Sequence, residues 1–435
     1  MKNSGVEWIG EIPDEWEVSK IGQLYEERRT KVSDTVYPPL SVTMQGILPQ
    51  LETAAKSDAH DDRKLVLKGD FAINSRSDRR GSCGISEFDG SVSLINTVLH
   101  PKTEMNPIYY NWLFHSFRFS DEYYKNGHGI VDDLWTTSWT EMKKIFIPLP
   151  PKSTQQRIAS YLDKKCSKIE ETIQNQQQVI EKLKTYKQSL ITEAVTGKIK
   201  IQNGKVCGKY QSYKDSGVEW IGKIPSEWEV GKTGMFTYVT KLAGFEFTDI
   251  MMDKISENGD VPIVRAQNVR MFKFNKEIIN EYIDLSTSNT LNRCCLDKKC
   301  LLITFIGAGI GDICIFDESI RYHLAPNVAK IEIRNFAKTK LCEEFLMYYI
   351  GSEPGKREIA NISKVAAQPS LSMETIRKIK LCIPPFEEQK LIVDYLYPKC
   401  LSIDKTIEQK QELIVKLTEY KKSLIYECVT GKKEI

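Results

Sequence analysis

An internal repeat constrains this chain more than any other feature. Residues 4–18 read SGVEWIGEIPDEWEV and residues 216–230 read SGVEWIGKIPSEWEV, so one opening segment occurs twice, 212 residues apart. A second pair lies downstream, at residues 150–198 and 384–432, and is identical at 25 of 49 positions. Because repeated segments build repeated structural units, the sequence predicts two copies of one architecture, an internal pseudo-twofold repeat.

The middle blocks between these shared segments, residues 19–149 and 231–383, show little identity. Both mix short β-branched runs, such as KLVLKGDFAIN and CLLITF, with Gly-rich turns and one amphipathic helix each. This pattern predicts α+β domains. Divergence confined to the middles indicates two domains that recognise two different things, although duplication without a functional difference stays open as an alternative.

The repeated C-terminal segments carry apolar residues at alternating steps of four and three, the spacing of a coiled coil. We expect two long helices that pair antiparallel with each other; the alternative is that each packs on its own domain. Ser153 with Gln156 predicts a capping box, and Gly197 and Gly431 stand where a C′ glycine ends a helix. Flanking apolar residues widen each apolar stripe beyond a minimal two-stranded seam: Val179 and Tyr186 on the first helix, and Leu413 and Tyr420 on the second. The predicted interface consists of Ile169, Ile173, Ile180, Leu183, Leu190, Ile403, Ile407, Ile414, Leu417 and Leu424.

These patterns give a division of the chain into five segments. Two globular domains are expected at residues 1–149 and 215–383, and two long helices at residues 150–198 and 384–435. Residues 199–214 contain Gly, Lys and Ser without periodicity and are interpreted as a linker.

Composition narrows the class of protein further. The chain has 61 Lys and Arg against 58 Asp and Glu, and 41% of its residues are hydrophobic, which is ordinary for a globular protein. No apolar run approaches the roughly 18 residues of a membrane-spanning helix, and the N-terminal residues lack the apolar stretch of a signal peptide. Eleven cysteines without a framework fit reduced thiols. We therefore expect a cytoplasmic protein without a membrane partner.

Three motifs resemble catalytic or metal sites, and each has a structural explanation. Asn106–Tyr109 approaches the N/D-P-P-Y/F motif of DNA methyltransferases, but Asn106 and Pro107 are also a normal helix start. Residues 305–311 read FIGAGIG, a glycine pattern of S-adenosylmethionine sites, yet they lie between two strand-like runs and predict a hairpin. Cys294, Cys295 and Cys300 lack the second pair that structural zinc requires. We expect no catalytic residue, no metal and no cofactor.

Polar side chains grouped at turns point instead to DNA recognition. Arginine binds phosphate and guanine, and Asn, Gln and Ser can address base edges. One group lies between the strand-like runs FAIN and CGISEF, and the glycine turn at residues 307–311 occupies the corresponding place in the second block. A solvated loop is the alternative for any single residue. The candidates are Asn74, Ser75, Arg76, Arg79, Arg80, Arg265, Gln267, Asn268, Arg270, Thr304, Lys364, Gln368 and Ser370.

The layout resembles the specificity subunit of type I restriction-modification systems. The resemblance is carried by the paired SGVEWIG-x-IP-x-EWEV openings, the PP-x-x-x-Q entries at residues 150–155 and 384–389, and the paired Y-L…I…L…Y-K-x-S-L-I helices. It implies that the two domains are target-recognition domains, each reading half of a bipartite site in double-stranded DNA. It also implies that the helices form an antiparallel coiled coil that sets the gap and docks methylation subunits, expected in two copies, with restriction subunits as further partners. A stand-alone methyltransferase and a coiled-coil scaffold without a DNA role are the rival interpretations.

The distribution of charge refines this expectation. Residues 151–214 contain 13 basic and 5 acidic residues, whereas residues 1–150 contain 17 and 22, and residues 215–383 contain 22 of each. The basic excess is therefore on the first helix and the linker and not on the domains expected to read DNA. Because neutralisation of phosphates supplies much of the affinity for DNA, we expect partner subunits to provide much of the non-specific DNA affinity.

Overall fold

The computed structural model describes residues 1–50, 61–129, 135–307, 309–363 and 371–435. These residues form two compact units. Unit 1 comprises Met1–Gln178 and Lys410–Ile435, and unit 2 comprises Val179–Gln409. Each unit therefore contains one globular domain together with a part of both long helices.

The centre of unit 1 is a four-stranded antiparallel sheet on which two short helices pack. The helices are Pro107–His115 and Phe117–Lys125, and they bury Tyr109, Phe114 and Phe119 against the sheet. In sheet order the strands are Tyr25–Glu27, Asn96–Pro101, Phe71–Asn74 and Cys83–Ile85. Beside them lie a sheet of Lys31–Val32, Arg63–Val66 and Gly90–Val92, a hairpin of Leu40–Thr43 and Gly46–Pro49, short helices Ile21–Leu24 and Trp139–Met142, and a 3₁₀ turn Ser77–Arg79.

Unit 2 repeats this sheet with different residues. Its antiparallel strands, in the same order, are Thr237–Lys241, Val328–Ile333, Cys300–Thr304 and Ile313–Phe316. A mixed second sheet contains Tyr282–Ile283, Val261–Val264, Tyr322–Leu324 and Cys295–Leu296, and Val269–Arg270 pairs with Lys273–Phe274. The helices are Thr233–Phe236, Gly244–Glu246, Leu285–Thr290, Glu343–Ile350, Glu353–Ser363 and Met373–Lys378, with a π turn Phe247–Met251 and 3₁₀ turns Met252–Lys254, Ala266–Asn268, Lys276–Ile278, Asn292–Cys294 and Asn335–Ala337.

The mixed composition of helices and strands confirms the α+β prediction, with one correction. Each middle block was expected to hold one amphipathic helix, but a pair of consecutive helices packs on each central sheet. In unit 1 the pair is separated at Ser116, whose hydroxyl donates to the carbonyl of Leu113 at 2.7 Å. A hydroxyl that bonds its own backbone competes with helix continuation, which explains the break.

The repeated openings form the same two elements in each unit. A hairpin of Lys2–Asn3 with Glu11–Ile12 corresponds to Tyr213–Asp215 with Lys223–Pro225. The next strand, Glu17–Lys20, pairs with Phe146–Leu149, and its counterpart Glu229–Lys232 pairs with Lys380–Ile383. Both ends of each middle block are thereby brought together beside the start of a long helix.

The two long helices span Lys152–Val195 and Phe386–Val429, 44 residues each. Gly197 and Gly431 follow them with φ of 70° and 73°, which confirms the predicted C′ glycines. The predicted capping box of Ser153 with Gln156 is wrong. Because the first helix already begins at Lys152, Ser153 lies inside its first turn, and Gln156 Oε1 instead accepts a hydrogen bond from Asn106 Nδ2 at 2.6 Å.

Parts of the two helices contact each other inside each unit. In unit 1, Lys421 pairs with Glu170 and Lys410 Nζ donates to Gln176 Oε1 at 2.8 Å, so the contacts run in opposite directions along the two helices. In unit 2, Lys187 lies 2.6 Å from Asp404. The ten predicted interface residues are all buried or half-buried.

The apolar stripe of each helix is narrower than expected, and its partners are of two kinds. The flanking Tyr186 and Tyr420 are 56% and 51% exposed. Leu162 and Ile169 belong to the same apolar cluster as Leu424 of the other helix and Phe114 of the domain. Helix pairing and packing on the domain, which the sequence presented as alternatives, therefore occur together in unit 1.

Residues 199–214 were interpreted as a linker, but they carry a hairpin of Lys200–Gln202 and Lys205–Gly208. Its turn is Asn203-Gly204, both with positive φ (51° and 69°), and Ile201 is buried in the apolar core of unit 2. Asn-Gly is a strong hairpin signal. The segment has few apolar residues, so its sequence pattern did not predict the two strands of this hairpin.

Candidate nucleic-acid interface

The first group of candidate residues lies on the turn between two neighbouring strands of the central sheet of unit 1, the inner strand Phe71–Asn74 and the edge strand Cys83–Ile85. Gly81 has a φ of 76°, which lets the chain reverse there. Arg76, Arg79 and Arg80 are exposed on this turn. The turn therefore presents three guanidinium groups to solvent at one edge of the sheet.

Asn74 and Ser75 hold the turn together. Asn74 is 7% exposed, and its Oδ1 accepts from the amide of Arg76 at 3.0 Å. Ser75 Oγ donates to the carbonyl of Ile95 at 2.5 Å. Asn74 Oδ1 and Ser75 Oγ are therefore engaged inside the protein, whereas the side chains of the three arginines of this turn are exposed.

An open cleft of about 730 Å³ adjoins the turn and combines aromatic and charged side chains. The Arg80 guanidinium lies 5.2 Å from the centre of the Tyr124 ring and 3.8 Å from the Asp121 carboxylate. Trp135 lines the same cleft and donates from Nε1 to the carbonyl of Tyr124 at 2.7 Å. Burial raises the pKa of Tyr124 above its usual value, so its hydroxyl stays protonated and donates to the carbonyl of Asn74 at 3.2 Å.

Sequence reasoning missed Tyr124 and Trp135. They lie in or beyond the helix Phe117–Lys125, more than 40 residues after the turn, and no local pattern connects them to it. Tyr124 is 2% exposed and supports the Arg80 guanidinium, whereas Trp135 is half-buried and lines the cleft. An aromatic face next to guanidinium groups suits contact with nucleic-acid bases, and of the two rings Trp135 has the accessible surface for it.

The turn of unit 2 that corresponds in the fold to Arg76–Arg80 is the glycine segment between Cys300–Thr304 and Ile313–Phe316. These strands are antiparallel neighbours, which confirms the predicted hairpin. The amide of Gly311 donates to the carbonyl of Thr304 at 2.9 Å, and the amide of Thr304 donates to the carbonyl of Asp312 at 2.9 Å. Thr304 is fully buried, so its side chain does not reach the surface.

Arg270 is brought next to this glycine turn from a neighbouring hairpin. Its Nη1 lies 3.9 Å from where a Cβ on Gly309 would stand, close to the carboxylate of Asp312. Burial raises the pKa of Asp312, and the charges of Arg270 and Lys356 oppose that rise. Arg270 is exposed, so unit 2 also presents a guanidinium group at its hairpin turn.

The other candidates of unit 2 divide into buried and exposed side chains. Asn268 is 1% exposed; its Oδ1 accepts from the amide of Arg265 at 2.8 Å and its Nδ2 donates to the carbonyl of Asn275 at 3.0 Å. Arg265 forms an ion pair with Glu281. Gln267 is exposed. Three further candidates lie outside the described residues: Lys364, Gln368 and Ser370.

The motifs that resembled catalytic or metal sites serve packing. The side chain of Asn106 accepts from the amide of Tyr109 at 3.0 Å, and Pro107 begins the helix, which confirms the predicted N-cap. Cys294, Cys295 and Cys300 are buried, and burial raises the pKa of Cys294 to about 11. Within the described ranges, no group of His, Cys, Asp and Glu could hold a metal ion. In the same part of the chain, no helix has the length and apolarity needed to cross a membrane.

Gln155 and Gln389 are the glutamines of the two PP-x-x-x-Q motifs, and both have a structural role. Each is buried and donates to the carbonyl of the first proline of its motif at 2.9 Å. The side-chain oxygen of each glutamine also accepts a hydrogen bond from the backbone amide of the residue that caps a domain helix, Asn106 at 2.9 Å and Cys342 at 3.1 Å. The two glutamines thus attach each domain to the start of its long helix.

The two units share one topology, and each has exposed arginine at the corresponding hairpin turn. This arrangement is that of a recognition protein with two duplicated domains. A family model described as type I restriction modification DNA specificity domain matches residues 13–182 and 225–419, one match in each copy of the repeat. The chain belongs to this family. It is a DNA sequence-specificity subunit, a recognition component of a type I restriction enzyme and not its catalyst.

Individual relatives agree with this assignment. The type I restriction enzyme MjaVIII specificity subunit of Methanocaldococcus jannaschii is 25% identical over 449 residues, 97% of this chain and 93% of that protein. The EcoBI specificity subunit of Escherichia coli is 24% identical over 289 residues, 64% of this chain and 57% of that protein. A solved structure from work on complex assembly and conformational transition of the type I R-M system has a TM-score of 0.71 at 13% identity, covering 97% of this chain and all of that one.

Proposed function

We propose that each unit reads one half of a bipartite DNA sequence through its hairpin turn, and that the bases between the two halves are not read. One observation carries this proposal: the same turn of the same sheet bears arginines in unit 1 and a glycine segment flanked by Arg270 in unit 2. One scaffold with two different contact surfaces selects two different sequences, because base identity is read by side-chain hydrogen bonds in the major groove.

The long helices form the spacer in this proposal, paired as an antiparallel coiled coil. Support comes from the ion pairs Glu170–Lys421 and Lys187–Asp404, which join the two helices in unit 1 and in unit 2. At 1.5 Å per residue each helix is roughly 66 Å long. Rods of this length can hold reading domains a helical turn of DNA or more apart, since one turn is roughly 34 Å.

The partners in this proposal are double-stranded DNA, two methylation subunits and restriction subunits. The subunit selects the site, and a methylation subunit takes the target adenine out of the stack into its own pocket. The net charge of +3 is small for a protein that would grip DNA alone. Phosphate contacts from the partners would therefore supply affinity while this chain supplies selectivity.

Single-molecule methylome sequencing of a host that carries this chain and its methylation subunit tests the proposal. We expect one methylated motif made of two specified halves separated by a run of unspecified bases. A continuous motif, or methylation without sequence preference, would contradict it. The purified chain alone, incubated with DNA and labelled S-adenosylmethionine, should transfer no methyl group.

A further inference from the structure

The turn that carries the arginines of unit 1 is bonded to its surroundings at several points. The hydroxyl of Tyr124 lies within hydrogen-bond distance of the carbonyls of Asn74, at 3.2 Å, and of Arg79, at 3.4 Å. It therefore bonds the chain near both ends of the turn. The amide of Ser77, in the middle of the turn, donates to the carbonyl of Trp135 at 3.0 Å. A turn held in this way presents its side chains from a fixed backbone.

Arg80 is held on this turn between an aromatic ring and a carboxylate. Its guanidinium lies 5.2 Å from the centre of the Tyr124 ring and 3.8 Å from the carboxylate of Asp121. The side chains of Arg80 and Asp121 are 58% and 63% exposed, so both charged groups face solvent as well as each other. A planar guanidinium that packs on a ring is restricted in orientation while its donors stay accessible. Because it is already ordered, it loses little conformational entropy when it binds a ligand.

The space for a ligand lies beside this charged pair. The open cleft of about 730 Å³ is lined by Arg80, Asp121 and the half-buried Trp135. The indole of Trp135 is fixed by its hydrogen bond to the carbonyl of Tyr124, and a Cβ on Gly127 would collide with its ring. The cleft therefore combines two donors of a guanidinium, the acceptor oxygens of a carboxylate and one flat apolar wall. An open site of this composition suits the edge of a base pair.

The order of donors and acceptors in the cleft selects one base pair. In the major groove guanine offers two acceptors, O6 and N7, and the cytosine paired with it offers the N4 amino donor. A guanidinium with a carboxylate beside it matches this order. The reversed pair would place guanine acceptors against the carboxylate, and adenine would place its amino group against the guanidinium. Thymine in the place of guanine offers one acceptor and a methyl group, so it matches only in part.

We propose that Arg80 and Asp121 together read one G·C base pair in the half-site of unit 1. Arg80 donates to O6 and N7 of the guanine, and Asp121 accepts from the N4 amino group of the cytosine. Tyr124 is a positioning residue, because its ring packs against the guanidinium and its hydroxyl bonds the backbone of the turn. This inference rests on the proposed function, in which unit 1 reads one half of the DNA site, and it adds the identity of one base pair.

The experiment measures methylation of DNA by the full chain in complex with its methylation subunit. The substrates carry each of the four base pairs in turn at every specified position of the site. The variants are Arg80→Ala and Asp121→Ala. The control is Arg118→Ala, which removes a guanidinium that packs on the Tyr426 ring, near the start of the helix Phe117–Lys125. All three substituted residues are exposed, so each variant should keep the wild-type unfolding midpoint.

We expect the wild-type complex to require G·C at one position, and Arg80→Ala to reduce that preference by about tenfold or more. Asp121→Ala should relax the same position, and the control should keep the wild-type preference. DNA with 7-deazaguanine at that position lacks the N7 acceptor. The wild type should methylate it more slowly than guanine DNA, whereas Arg80→Ala should methylate both at the same rate. Relaxation at two different positions, or equal slowing on every substrate, would overturn the proposal.

The methylome of the wild-type complex separates this inference from the proposed function. If the wild type methylates a motif of two specified halves while Arg80→Ala and Asp121→Ala keep its full selectivity, the base-pair assignment fails and the proposed function stands. A wild-type complex without a bipartite motif would instead remove the proposed function, and with it the base-pair assignment.

Discussion

Lys187 donates to both carboxylate oxygens of Asp404, at 2.6 and 2.7 Å, and thereby joins the two long helices inside unit 2. The residues at the same positions of the other copy, Lys421 and Glu170, form the same ion pair in unit 1. In both pairs the carboxylate is about half exposed to solvent, and pairs with this degree of exposure contribute little stability. Their repetition instead marks a helix-to-helix register that the duplication kept while the reading domains diverged.

Shortening both helices by one matched heptad, residues 174–180 and 408–414, should shorten the unread gap and leave both half-sites unchanged. Seven residues rise roughly 10 Å along a helix, about three base pairs of DNA. Methylome sequencing of a host with the shortened chain reads the gap directly. Removing the heptad from one helix only is the control and should disrupt the register. Altered half-sites in the matched deletion would show that the helices do more than set spacing.

Substituting Gly197 with Ala should destabilise the protein by about 3 kcal/mol. The residue has a φ of 70°, costly for alanine, and a Cβ there would stand 2.3 Å from Pro225 Cδ. Gly217→Ala is the control, since Gly217 has a φ of 67° but no described heavy atom within 4 Å of the added Cβ. It should cost about 1 kcal/mol. Urea unfolding compares the two, and equal losses would mean that the contact with Pro225 does not matter.

Replacing Arg79 with Ala should relax sequence selection in one half of the DNA site. The side chain of Arg79 is 68% exposed on its turn and 3.5 Å from Asp78, so it is available to a base or a phosphate. Loss of a specific base contact costs about 1–3 kcal/mol of discrimination. Arg270→Ala provides the reciprocal case, in the other half-site. Methylation rates on substrates with single base changes measure both, and uniform weakening over both halves would assign Arg79 to the phosphate backbone.

Stability should fall as the pH is lowered through the range in which histidine is protonated. His323 is fully buried, and burial lowers its pKa below the usual value. The unfolded chain then takes up a proton near pH 6.5 before the folded chain does, so unfolding becomes more favourable below that pH. Urea unfolding at pH of about 7.5 and about 5.5 should show a smaller loss for His323→Gln than for wild type. An identical loss would contradict the assignment, and the comparison cancels Glu358, whose raised pKa acts oppositely.

The architecture follows from the sequence because duplication is visible in it. The long helices were expected at residues 150–198 and 384–435 and occupy Lys152–Val195 and Phe386–Val429. Apolar spacing and terminal glycines determine such boundaries locally. The correspondence of the two hairpin turns was also predictable, because each lies between two strand-like runs at the corresponding place of its block, FAIN and CGISEF in one and LLITF and DICIF in the other.

The composition of the site was less predictable because it depends on contacts between distant segments. The pattern that nominated Asn74 and Asn268 could not show that both amides turn inward to hold backbone groups. Nor could it place Tyr124 beside Arg80, or Arg270 beside Gly309, since those neighbours come from other strands and helices. The residue types in a turn identify candidates for DNA contact, whereas tertiary packing determines which of these side chains are exposed.

The most direct measurement is a domain exchange followed by methylome sequencing. Residues 19–149 would be replaced by the matching block of another specificity subunit, with the openings, the long helices and unit 2 left unchanged. We predict that one half-site changes while the other half-site and the length of the gap stay as in the wild type. A change in both half-sites would contradict the claim that each unit reads its own half of the DNA sequence.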